Sequence, residues 1–291
     1  NVFKAIAKLD SEMNWAVATI LMMFVSVCMY SLVRATKKYS VPPIINTFAM
    51  ISLPVPLYAL AVIAGHIHYS PSLQEIIVMV LQGLILIYFG NLYALRGIES
   101  APNPGYSVLI SKMYVVFTAP ASLLLFNSTL SRQSIVGIVL IIGFSYLVMV
   151  EKKSVRKTSS SAWVASTLIA FFCFGGIALT SKFLLQSGVP ILIRLLFPGI
   201  LASILYLPEA NKGYMKIKWA NQAILLLIGI CFCSMAFNYL MQYAFAHSPN
   251  VGLVNAANAG GAFSPFGDIT TLMVWQAGKV NFLEFFALFL P

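Results

Sequence analysis

The stretch N-L-Y-A-L-R-G-I-E-S-A-P-N-P-G-Y, Asn91 to Tyr106, returns 147 residues later as N-Y-L-M-Q-Y-A-F-A-H-S-P-N-V-G-L, Asn238 to Leu253. Asn91 aligns with Asn238, Pro102 with Pro249, Asn103 with Asn250 and Gly105 with Gly252, without a gap. Further out, Trp15 falls opposite Trp163, and Val41-Pro42 opposite Val189-Pro190, at a spacing of 148. The chain therefore reads as an internal duplication. In a strongly apolar chain, duplication marks secondary transporters, whose substrate site lies between the halves near the membrane midplane.

Composition points the same way. With 60% hydrophobic residues, 9% charged residues and a mean hydropathy of +0.89, the chain has more apolar surface than one soluble core can hide, so a bilayer must be its solvent. The net charge of +10 does not imply nucleic acid, because Lys and Arg are scattered through short loops; positive-inside loops account for them better. Cys28, Cys173, Cys231 and Cys233 all sit in apolar runs, and Cys231-Phe-Cys233 lacks redox or zinc spacing. His66, His68 and His247 occupy separate loops. No metal site and no cofactor is expected.

Windows of about 20 apolar residues predict spans at 14–34, 41–64, 74–97, 104–126 and 131–150, then 162–186, 189–207, 219–245 and 250–275. A tenth begins at Asn281 and stops at Pro291, only about 16 Å of helix. The expected fold class is an all-α membrane protein with ten transmembrane helices as two inverted five-helix repeats, the tenth truncated. Its parts are a polar segment 1–13, a first repeat 14–150, a linker 151–161 and a second repeat 162–291. Five spans per repeat make the second copy enter from the opposite side, which relates the halves by an in-plane two-fold axis.

Loop charge sets the orientation. One set of flanks holds Arg34, Lys37, Lys38, Arg96, Lys152, Lys153, Arg156, Lys157, Lys212, Lys216, Lys218 and Lys279; the other holds Lys4, Lys8, Arg132, Lys182 and Arg194. Twelve against five predicts a cytoplasmic linker and an outside N-terminus. A multi-pass protein of a bacterial inner membrane is expected.

Five plus five helices, a short linker and a Pro-Asn-x-Gly string after the third helix of each half resemble the EamA-type branch of the drug/metabolite transporter superfamily. The resemblance covers residues 14–258 and is carried by Ala94 to Lys112, by T-L-S-R-Q-S-I-V-G-I-V-L-I-I-G-F from Thr129 to Phe144, and by Tyr243 to Asn255. It implies a carrier that moves small organic solutes by alternating access without ATP. Residues 255–291, with S-P-F-G-D-I-T-T from Ser264 to Thr271, instead resemble NhaD-type sodium/proton antiporters. The junction falls inside N-A-A-N-A-G, a string either family could supply, so the chain reads as a gene fusion, as two sequences joined at a shared string, or as chance similarity in an apolar background. In the antiporter resemblance Asp268, with Ser264 and Thr270, would handle sodium and protons. Residues 1–254 offer no second broken helix to complete such a site, and the alternative is that Asp268 touches water at the end of a disrupted helix.

Polar residues inside spans point to a cavity by default. Lys112 lies about eight residues into the fourth span, where it could face an anionic solute, titrate, or snorkel to the interface. Asn91 and Asn238 occupy equivalent positions, with Gln242 one turn on from Asn238; they line a cavity or bond a neighbouring helix. Asn255 and Asn258, a turn apart in the ninth span, face the position that Lys112 occupies in the repeat, and Ser111 aligns with Asn258. Tyr114 and Tyr243 are near enough in sequence to stack on a solute. The expected partners are lipid, a small polar solute and protons or sodium. Pairs such as Gly175-Gly176 suit packing within the monomer or a homodimer. Enzyme motifs (GxSxG, HExxH, phosphate-cradling loops) are missing from the sequence. A solute carrier, a sodium/proton antiporter and a non-transporting membrane subunit are the three functional expectations.

Overall fold

Caps and prolines divide the apolar runs into helices. The computed structural model describes residues 14–101, 104–132, 134–140, 143, 162–214, 217 and 220–260. Helix α1 (Trp15–Ala35) begins at Asn14, whose side-chain oxygen accepts from the Ala16 N–H at 2.9 Å, satisfying one orphan donor of the first turn. It runs into a 3₁₀ turn (Thr36–Tyr39) and stops at Ser40, which has φ 55°. The expected second span is two helices, α2 (Pro43–Ile51) and α3 (Pro54–Ala64), each opened by a proline whose missing N–H costs nothing at a helix start.

Helix α4 (Leu73–Leu81) starts with a capping box: Ser72 Oγ accepts from the Glu75 N–H at 3.4 Å, and Glu75 Oε2 from the Ser72 N–H at 2.8 Å. Ser72→Ala is expected to cost about 1 kcal/mol, read as a lower unfolding temperature in detergent. Helix α4 continues through a π segment (Gln82–Ile87) into α5 (Tyr88–Ser100). A π segment leaves ladder carbonyls in need of donors; the Tyr206 hydroxyl donates to the carbonyls of Tyr88 at 2.9 Å and Ile87 at 3.4 Å.

The expected fourth span is also divided, into α6 (Pro104–Lys112) and α7 (Val115–Phe126). The second half contributes α8 (Ala162–Gln186), α9 (Ile191–Tyr214), α10 (Asn221–His247) and α11 (Val251–Gly260). Among the described residues, seven helical stretches are long and apolar enough to cross a membrane: Trp15–Tyr39, Pro43–Ala64, Leu73–Ser100, Leu109–Phe126, Ala162–Gln186, Ile191–Tyr214 and Asn221–His247. Residues 134–140 and Val251–Gly260 are helical where the fifth and ninth spans were expected. The tenth lies outside the described residues. Leu124, Leu73 and Ile63 are 84%, 74% and 70% exposed, the signature of side chains whose solvent is lipid.

The halves interlock. Helix α1 packs on α10 and α8 on α5, so the first helix of each half lies against the third of the other; α2 meets α9 and α7 meets α11. Each core cluster draws on both halves: Ala18 and Met22 with Tyr243 and Phe245, Met29 and Ile45 with Ala210 and Ile230, Met79 with Leu184 and Ile193, Val115 and Ala119 with Ala256. Local detail repeats too. Ser40 at φ 55° precedes Val41-Pro42 and Gly188 at φ 83° precedes Val189-Pro190, so the same left-handed turn introduces the second helix of each half.

Candidate functional site

Two buried polar clusters sit on the seam between the halves. In the first, Asn255 on α11 donates to Thr118 Oγ1 at 3.0 Å, and Asn258 donates to the Tyr114 hydroxyl at 3.4 Å. All four residues are buried, as is Ser111. Tyr114 lies in the short break between α6 and α7, which turns its hydroxyl towards α11. Lys112, the last residue of α6, is half-buried beside this break. Three expected residues, Tyr114, Asn255 and Asn258, are thus brought together with Thr118.

The second cluster was only partly expected. Gln242 on α10 donates to Ser181 Oγ on α8 at 3.0 Å, and its own oxygen accepts from Arg194 Nη1 on α9 at 3.0 Å. Arg194 Nη1 also donates to the Ser181 carbonyl at 3.0 Å, and Gln82, first residue of the π segment, donates to Ser181 Oγ at 2.9 Å. Ser181 on α8 is therefore the hub for residues on three other elements, the π segment, α9 and α10. Next to it, Lys182 Nζ donates to the carbonyls of Phe245 at 3.0 Å and Ser248 at 3.3 Å, capping the carbonyl end of α10 where the helix dipole favours a cation.

This corrects the loop-charge assignment. Lys182 and Arg194 were expected as outer loop flanks, but they are 8% and 2% exposed. Proximity to the Ser187–Pro190 loop in sequence says nothing about which way a side chain points, and both point into the bundle. The available signal was the coincidence of Ser181, Gln242 and Gln82, three polar residues in apolar runs near the same membrane face. The three carboxylates among the described residues are elsewhere: Glu75 in its capping box, Glu209 accepting from the Tyr88 hydroxyl at 3.0 Å, and Glu99 exposed.

The remaining expected residues do not join either cluster. Asn91 donates to the Ile87 carbonyl of its own helix at 2.9 Å, and Asn238 to the Ser234 carbonyl at 2.9 Å and hydroxyl at 3.1 Å. Equivalent in sequence, each amide bonds the carbonyl one turn back on its own helix, which is within reach of so short a side chain, and Asn238 also reaches the first half through Ser234, whose hydroxyl donates to the Met50 carbonyl at 2.6 Å. Tyr243 is buried among Ala18, Met22 and Phe245 and stacks on His247, centroids 4.1 Å apart; it is a core residue. Ser264, Asp268 and Thr270 lie outside the described residues.

No protein-family model matches the chain. A short segment is 80% identical over 41 residues to the Na(+)/H(+) antiporter NhaD of Vibrio cholerae, covering 14% of this chain and 9% of that protein. The NhaD antiporter of Vibrio parahaemolyticus is 68% identical over 47 residues (16% and 11%), and that of Alkalimonas amylolytica 76% over 41 (14% and 8%). The chain spans about a tenth of the length of these curated relatives. A short NhaD-like segment in a different chain is in keeping with the chimeric reading of the sequence. A solved crystal structure of another protein, 15% identical, superimposes with a TM-score of 0.66 over 91% of this chain and 90% of that one; it shows the fold alone. Among the described residues, the seven apolar helical stretches of membrane-crossing length make the chain a multi-pass integral membrane protein.

Proposed function

We propose that the chain is a secondary carrier of small polar metabolites of the amino-acid class, built as an inverted repeat and working by alternating access. The observation that carries this reading is the placement of both buried polar clusters between the halves: Tyr114 and Thr118 face Asn255 and Asn258, and Gln82 faces Ser181, Gln242 and Arg194. A polar seam inside an apolar bundle is costly unless something uses it, and carriers bind solutes where their repeats meet. The reciprocal packing of α1 on α10 and α8 on α5 supports a two-fold axis in the membrane plane. With Lys182 and Arg194 withdrawn from the loops, the outer flanks keep only Lys4, Lys8 and Arg132, which strengthens a cytoplasmic linker. The carrier reading makes the protein neither an enzyme nor a cofactor protein.

The test is flux into proteoliposomes containing the full chain, with a panel of amino acids under an imposed pH gradient and a parallel sodium-driven proton-movement assay. Amino-acid flux is expected, reduced roughly tenfold by Asn255→Leu, the equivalent of about 1.4 kcal/mol of lost solute interaction, and reduced also by Lys112→Ala. No amino-acid flux under any gradient would overturn the carrier. The 41-residue match to sodium/proton antiporters supports the second reading: sodium-dependent proton movement abolished by Asp268→Asn would establish it.

A further inference from the structure

The guanidinium of Arg194 is engaged on one side only. Its Nη1 donates to the Ser181 carbonyl and to Gln242 Oε1, both at 3.0 Å. Its Nε and Nη2 are buried and have no partner. These two nitrogens form one edge of the planar group, with N–H bonds running parallel, and that edge matches the two oxygens of a carboxylate in a bidentate fork. A second unpartnered atom lies on the same hydrogen-bonded chain. Gln82 Oε1 is buried without a donor, because the amide nitrogen of Gln82 is committed to Ser181 Oγ at 2.9 Å and the Ile177 carbonyl at 3.4 Å.

An uncompensated buried cation costs several kcal/mol, and hydrophobic residues of similar volume would be cheaper for stability alone. The neighbouring charged side chain does not relieve Arg194, because Lys182 is itself a cation and its ammonium is turned to the carbonyls of Phe245 and Ser248. Packing therefore gives no reason for a free guanidinium edge here, whereas binding does. We infer that the Nε and Nη2 edge of Arg194 holds the carboxylate of the transported solute, with Gln82 Oε1 accepting from an N–H of the same molecule.

This deepens the carrier reading and rests on it. The solute class is a small monoanionic carboxylate that also carries a hydrogen-bond donor, as an α-amino acid zwitterion does. One free cationic edge suits one negative charge. A phosphate dianion would call on Lys182 as well, and that ammonium is already spent on the carbonyls of Phe245 and Ser248. Arg194 is the fourth residue of α9, about 5 Å from its start, and is closed from solvent here. Alternating access is what would open such a site to one side.

The experiment is thermal unfolding of the purified full chain in detergent, titrated with the twenty protein L-amino acids, their carboxamides, acetate and inorganic phosphate. At least one amino acid is expected to raise the unfolding temperature while its carboxamide does not. Arg194→Gln should remove that response. Arg194→Lys, which keeps the charge without the fork, should weaken the apparent affinity roughly tenfold. Gln82→Leu should weaken the amino acid and leave acetate unchanged. The site is overturned if carboxamides act as well as acids, if phosphate alone is bound, if nothing in the panel responds, or if Arg194→Gln responds as wild type does. Should Arg194→Gln fail to fold, Arg194→Lys and the wild-type comparison of acid with carboxamide decide the matter. Carboxylate binding without flux would sink the carrier and keep the site; flux surviving Arg194→Gln would sink the site and keep the carrier.

Discussion

Gly252→Ala is expected to leave little folded protein in the membrane. A Cβ on Gly252 would lie 2.4 Å from Ala119 Cβ, 2.6 Å from Ala119 Cα and 2.8 Å from Asn250 Oδ1. The second of these is a backbone atom, so no change of rotamer relieves the clash. Helix α11 would have to back away from α7. That movement would break the Asn250 amide's bond to the Ala119 carbonyl, 3.3 Å, and the Asn255 bond to Thr118, 3.0 Å. Overpacking of this kind costs about 3 kcal/mol or more, a large share of the stability of any domain. The check is the yield of monodisperse protein on gel filtration from detergent. Adding Ala119→Gly removes the 2.4 Å contact but not the one to Cα, so the double variant should recover only a minor part of the loss. Wild-type yield of Gly252→Ala would mean that α7 and α11 are not packed as described.

Gly175→Ala should behave differently, because its clash is with a side chain. Its Cβ would fall 2.0 Å from Phe117 Cζ and 2.5 Å from Cε1, and the Phe117 ring is held by Phe171 and Phe172 at centroid distances of 5.1 and 5.6 Å. Alone, the alanine is expected to destabilise by about 2 kcal/mol. Phe117→Ala on its own also destabilises, by lost ring packing. Combined, the two should be distinctly less harmful than their sum, with a coupling of about 1–2 kcal/mol in a double-mutant cycle of unfolding temperatures. Strict additivity would show that the ring is not above Gly175.

Much of the fold was readable because apolar run length and helix punctuation are local. The spans opening at Trp15, Pro43 and Leu73 could be placed from sequence, and the 147-residue frame singled out Asn255 and Asn258 as polar residues inside a span, though not their partners Thr118 and Tyr114. The divisions at Pro54 and Met113 were missed, since an apolar window does not register a helix that stops and restarts without a polar break. Arg194 and Lys182 were misread for another reason. A charge a turn or so from a loop can reach water or the bundle interior, and only the neighbouring helices decide which. The same holds for Asn91 and Asn238: the register put them in equivalent places, but it could not show that each would bond the carbonyl one turn back on its own helix.

The π segment at Gln82–Ile87 has a consequence for angle rather than for bonding. Its wider ladder places one more residue in the turn than an α-helix would, so every side chain from Tyr88 to Ser100 is rotated by about 100° relative to a helical wheel drawn from Leu73. Gln82 and Asn91 therefore do not stand in the azimuthal relation that their nine-residue separation suggests. Deleting one residue between Gly83 and Ile87 would restore an even pitch, swing the Tyr88–Ser100 part of this helix against α8, and strand the Tyr206 hydroxyl that now closes the wide turn.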